Sequence, residues 1–158
     1  MTATQGSAHT AELDGPYLQI AALCEHVLEE RDNVLSIIRI VDRITLSTSD
    51  PRAPAAMPPV PVNVRLVIAL KSGFARGRFD VKIGVVAPST HVLAELSLPV
   101  LLEGEERGAN IVMPVSFSAE EEGLYWFEVR LGDRLLTRVP LRLIYSRVSM
   151  GSPPETAG

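Results

Sequence analysis

The chain has 158 residues, 46% of them apolar, and a net charge of −4 from 19 acidic and 15 basic side chains. A domain of this length buries a core without covalent staples, so wholesale disorder is excluded. With no basic excess to draw in phosphates, nucleic acid is a poor partner.

Residues 1–15 are small and polar and read as a flexible N-terminal arm. They lack a basic segment followed by an apolar one, so no secretory signal is expected. The only cysteine is Cys24, which rules out an intrachain disulfide and suits a reducing compartment. Apolar runs such as Val64–Leu70 fall far short of the roughly 20 residues of a membrane span. The expected location is cytoplasmic, with no membrane partner.

Residues 16–146 are the expected folded domain, and 147–158, ending in Gly-Ser-Pro-Pro-Glu-Thr-Ala-Gly, the expected disordered tail. At the start of the domain two patterns compete. Ile20–Glu30 is rich in Ala, Leu and Glu, with Leu23, Val27 and Glu30 on one helical face. The same stretch read as a strand puts Leu18, Ile20, Ala22, Cys24 and His26 on one face. Arg31-Asp32-Asn33 is turn-like and leads into Val34–Leu46, so strand–turn–strand is the preferred reading.

A Pro-rich loop over 48–61, with Pro51, Pro54, Pro58, Pro59 and Pro61, excludes a helix or a central strand there. Period-2 alternation then follows in six runs. Val62–Leu70, Phe79–Val85, Val92–Val100, Ile111–Phe117, Tyr125–Leu131 and Val139–Tyr145 each alternate and stop at turn residues. Lys71–Arg78 reads as a hairpin loop and Glu103–Asn110 as a charged mobile loop. Gly132-Asp133 reads as a tight turn. Pro99 and Pro114 cannot donate to a ladder and must lie at edges or bulges. The expected fold is all-β, an antiparallel immunoglobulin-like β-sandwich of about 8 strands.

The segment from Cys24 to Ile44, ending Val41-Asp42-Arg43-Ile44, resembles the opening of an uncharacterised bacterial family of small β proteins. Gly123-Leu124-Tyr125-Trp126-Phe127-Glu128-Val129 and Val139-Pro140-Leu141 resemble its closing strands. The resemblance covers most of residues 17–145 and implies a fold without implying a chemistry. Arg39 replaces the family's usual Gly after the second strand's Ile run.

Chemistry is sparse. Cys24 and His26 would share a strand face about 6–7 Å apart, close enough for a thiolate–imidazolium pair. The competing reading is a buried small Cys beside a half-buried His. His91 in a turn and His9 in the arm make no zinc pattern with them. Glu120-Glu121-Glu122 and the Glu103, Glu105, Glu106 group could hold calcium, though solvated charge fits their spacing better. Tyr125 is placed for a tyrosine corner. Trp126 lies opposite the core face of its strand, with Glu128 and Arg130, and is either a contact aromatic or covered by the arm or the Pro-rich loop. Met57 and Val60 could add to a contact surface.

The sequence therefore favours a non-enzymatic module for protein–protein interaction or self-assembly, with no cofactor, binding through Trp126, Glu128 and Arg130. The alternatives are a small-molecule or carbohydrate binder using end loops, and a cysteine-dependent enzyme using Cys24.

Overall fold

A computed structural model of the protein describes residues 14–148, so most of the expected arm and tail lie outside the described residues. Within that range seven strands form, and no helix is long and apolar enough to cross a membrane. They are β1 Tyr17–Glu29, β2 Leu35–Ile40, β3 Arg43–Thr48, β4 Val60–Val86, β5 Val92–Ala119, β6 Gly123–Leu131 and β7 Arg134–Arg147.

The N-terminal segment is strand–turn–strand. The β1–β2 pair is antiparallel, with Cys24 opposite Ile40 and Glu29 opposite Leu35. Asn33 supplies the left-handed residue of the turn, with φ 61. Arg39 is also left-handed, with φ 56. A glycine adopts that backbone freely, whereas a residue with a Cβ is strained there. Arg39 is the penultimate residue of β2, and no register pair is formed there between Ile38 and Ile40. After Val41-Asp42 the chain leaves β1 and runs as β3 beside β7. The Arg142 N–H donates to the Asp42 carbonyl at 2.8 Å at the start of that pairing.

Two expectations change here. The β3–β7 pair is parallel, so the strands are not all antiparallel. The strand number is seven because the central runs join. Val62–Leu70 and Phe79–Val85 are one bent strand, β4, and Val92–Val100 and Ile111–Phe117 are one bent strand, β5. The hairpin loop expected at Lys71–Arg78 and the charged loop expected at Glu103–Asn110 are instead opposite sides of a bulged ribbon. Its register shifts between Lys71 and Gly73 and again between Gly73 and Arg76. Bulges let a ladder turn without breaking, which sequence alternation alone does not reveal.

The bends give β4 two sets of neighbours. Its first half pairs with β1 and its second half with β6, while β5 pairs along both halves. The inward faces of both halves share a single core. Leu23, Val64, Leu66 and Ile68 from one half meet Val81, Ile83, Phe127, Val129 and Leu141 from the other. Phe117 bridges them, with its ring 5.4 Å from Tyr125 and 6.0 Å from Phe127 between centroids. Pro99 and Pro114 both lie on β5, which pairs only with β4 among the described strands, so they fall on edges as their missing N–H requires.

The Pro-rich loop is tied down. Tyr145 Oη donates to the Pro54 carbonyl at 3.0 Å. Met57 is 7% exposed and belongs to the core, and Val60 packs against it. Neither offers a contact surface, contrary to expectation, because their apolar side chains close one end of the core. At the N-terminal boundary, residues 14 and 15 of the expected arm are docked: the Phe74 N–H donates to the Asp14 carbonyl at 2.9 Å.

Candidate functional site

The Cys24–His26 pair dissolves in three dimensions. Cys24 is fully buried, and burial pushes its thiol above the ordinary range, against a smaller opposing pull from the Arg65 charge. His26 is exposed, and its Nδ1 lies 3.3 Å from an Arg65 guanidinium nitrogen. That Arg also donates to the Glu25 carbonyl at 3.1 Å. A protonated, inaccessible thiol is not poised as a nucleophile.

The acidic residues make local hydrogen bonds and ion pairs. Glu121 accepts hydrogen bonds from the Ser89 hydroxyl and the Ser89 N–H, and the hydroxyl bond is the main reason its carboxyl titrates below the usual range. Glu122 accepts from the Tyr145 N–H at 3.1 Å. Glu103 pairs with Arg107 and Glu105 with Arg76. No group of three or more His, Cys, Asp or Glu among the described residues could hold a metal ion. His91 lies next to the 87–90 turn, where its carbonyl accepts from the Ala87 N–H, and His9 lies outside the described residues.

Tyr125 forms the corner expected of it. Its ring is buried, and its hydroxyl donates to the Glu121 carbonyl at 2.7 Å. Burial also pushes its phenol above the ordinary range. The corner fixes the start of β6 and, with it, the outward side chains of the next residues.

Those outward residues carry a small network of ion pairs. On β6, Tyr125, Phe127, Val129 and Leu131 are buried, while Trp126, Glu128 and Arg130 face away and are half-buried. Glu128 is opposite Gly84 on β4 and Arg138 on β7. One Glu128 oxygen meets Arg138 at 2.8 Å and the other meets Arg130 at 3.2 Å. Lys82 reaches Asp133 at 3.4 Å. Trp126 lies one row along, paired with Val86 and Pro140.

The surface is dented where Gly84 has no side chain. A Cβ built there would meet nothing within 4 Å. The dent opens into a groove of about 380 Å³ lined by Lys82, Gly84, Glu95, Leu96, Glu128 and Arg130. A second groove of about 500 Å³ is lined by Trp126, by Pro88 and Thr90 of the 87–90 turn, and by Glu128 and Arg138. Glu128 borders both. The turn, through Pro88 and Thr90, is what flanks the indole in this groove. Gly84, Glu95, Lys82 and Arg138 are members of the site that sequence reasoning did not single out. A lone Gly within a strand run marks a place of close approach, and that was the available signal for Gly84.

The family described as "Family of unknown function (DUF6941)" matches residues 19–144. No curated protein matches the chain. Among solved structures, an immunoglobulin-like protein from Pseudomonas aeruginosa is 13% identical, covering 83% of this chain and 98% of its own, with a TM-score of 0.42. A glycosyl hydrolase family 2 member from Bacteroides cellulosilyticus is 18% identical over 58% of this chain, with a TM-score of 0.43. An alkylpurine DNA glycosylase from Pseudomonas fluorescens, bound to DNA containing an abasic site analogue, is 11% identical over 78% of this chain, with a TM-score of 0.40. The chain spans only 13% of the hydrolase's length and 30% of the glycosylase's.

Proposed function

The chain belongs to this family of unknown function, and we propose that it is a non-enzymatic cytoplasmic module that binds a protein partner through the outer face of β6. Its fold, on this reading, is an immunoglobulin-like sandwich. Support comes from the bends of β4 and β5, which let two sets of strands share one core, and from the Tyr125 corner.

The observation that carries the reading is the arrangement of Trp126 beside the Gly84 dent, with Glu128 held between Arg130 and Arg138. A half-buried Trp and an Arg-rich polar rim around it are what protein contact surfaces are built from. The charges are mutually paired, so they lend orientation more than attraction. The test is capture of a partner by the full chain and by Trp126→Ala, with circular dichroism to confirm that the variant folds. Equal capture by both removes this face from the reading.

A second reading is favoured by the groove of about 500 Å³ beside the 87–90 turn. Its indole and charged lining suit a small polar molecule or a sugar. Binding of a soluble oligosaccharide that quenches Trp126 fluorescence would support this reading over a protein partner.

A further inference from the structure

The free edge of β5 is not uniform, and one part of it is guarded more lightly than the rest. Among the described residues β5 bonds only to β4, leaving its other side open along its whole length. Edges are normally guarded by proline, by charge, by a kink or by being short. The second half of β5 carries Pro114 in its middle. The β2 edge is six residues long and includes the left-handed Arg39. The β3 edge is also six residues long, with Arg43, Thr45 and Ser47 exposed. The run Val92–Leu98 has no proline, one charge and a single bulge at Leu93, where the register shifts opposite Val85 and Val86, and it exposes Val92 by 57%, Leu93 by 41% and Leu96 by 41%. Pro99 closes the run at its far end.

The charge in this run is placed unusually. Glu95 lies opposite Gly84, so it has no side-chain neighbour across the ladder on β4 and none on the open side. It has no ion-pair partner among the described residues. Its neighbours Ala94 and Leu96 point the other way, opposite Val85 and Ile83 of the core face. Leu96 is therefore aimed inward yet is still 41% exposed, because nothing flanks it on the open side.

We infer that Val92–Leu98 accepts an extended segment of a partner protein as an added strand, with a Lys or Arg of that segment opposite Glu95 and apolar residues on either side of it. This rests on the binding reading above and names the partner's chemistry. The added main chain satisfies the open N–H and C=O groups, the flanking apolar residues cover Leu96, and the basic residue pairs with Glu95. A second copy fits less well. Two copies paired antiparallel about the middle of the run set Glu95 against its own counterpart, and like charges directly opposite destabilise a ladder.

The test uses isotope-labelled full chain and two blocked peptides, Thr-Ile-Lys-Ile-Thr and Thr-Ile-Glu-Ile-Thr. The expected result is amide shifts confined to residues 92–98 and their β4 partners, with the Lys peptide binding about two- to fivefold more tightly than the Glu peptide, as one cross-strand charge pair gives. Glu95→Lys, an exposed change that leaves the core untouched, should reverse that order. Absence of shifts over 92–98, or an order unchanged by Glu95→Lys, overturns the inference. So does a concentration-dependent dimer in sedimentation that Leu96→Lys abolishes, which assigns the edge to a second copy. If peptides fail here while partner capture still depends on Trp126, only the strand-acceptor inference falls. If the peptides behave as expected while Trp126→Ala captures normally, the edge stands and the β6 face falls.

Discussion

Glu128 and Arg138 face each other across the β6–β7 ladder at 2.8 Å, and the same carboxylate holds Arg130 at 3.2 Å along its own strand. The Glu128 side chain is 18% exposed and the two arginines are more open. One carboxylate thus fixes two guanidinium groups on the face that carries Trp126. Such surface pairs contribute roughly 0–1 kcal/mol to stability. Glu128→Gln should therefore lower the unfolding free energy by less than about 1 kcal/mol in urea titration. Partner affinity should fall by about tenfold, since both arginines lose their orientation, an effect of about 1.4 kcal/mol.

Cys24 gives a pH dependence whose sign follows from burial. The folded chain keeps the thiol protonated above the pH at which the unfolded chain releases it. The native state then binds more protons, so stability falls as pH rises from the ordinary thiol range towards the raised folded value. Below that window the contribution is constant. Cys24→Ala should flatten this alkaline limb in thermal melts above neutral pH, leaving the contribution of Tyr125, whose phenol is also raised by burial. At neutral pH a thiol reagent should label Cys24 only when the chain opens.

Arg39 occupies a left-handed backbone that costs a residue with a Cβ about 1 kcal/mol. Its ion pair with Glu25 at 2.8 Å is largely exposed and offsets little of that. Arg39→Gly should raise the urea midpoint only slightly, equivalent to no more than about 0.5 kcal/mol after the glycine's greater unfolded-state entropy is counted.

These residues show where sequence alone was enough and where it was not. The core was legible because alternation names it: Leu66, Ile83, Phe127 and Leu141 were on the inward side in both readings. The edges were legible because Pro99 and Pro114 cannot donate. The joining of runs into β4 and β5 was not, because Gly73, Gly77 and Gly104 signal a turn and a bulge alike. The parallel β3–β7 pair was hidden for a related reason, since alternation reports a strand's faces and not its neighbours. Trp126, Glu128 and Arg130 were placed on the outer face by parity. The dent beside them depends on Gly84 lying opposite Glu128, a matter of register between strands more than 40 residues apart in sequence.

Gly84 separates groove shape from folding. Its backbone is not left-handed, and an added Cβ meets nothing within 4 Å. Gly84→Val should fold normally and gain up to about 1 kcal/mol, because a β-branched residue suits a strand interior better than glycine. It should also fill the dent and weaken partner binding by about tenfold. Thermal melts and affinity measured on the same preparation distinguish the two effects.

The central claim is that the outer face of β6 is the binding surface. Its most direct test is affinity for a co-purified partner, measured by calorimetry, with the wild-type chain and with Trp126→Ala matched for folding by circular dichroism. The expected result is a loss of at least 2 kcal/mol, about thirtyfold, as for a central aromatic anchor. An affinity within twofold of wild type, with the variant folded, would contradict it.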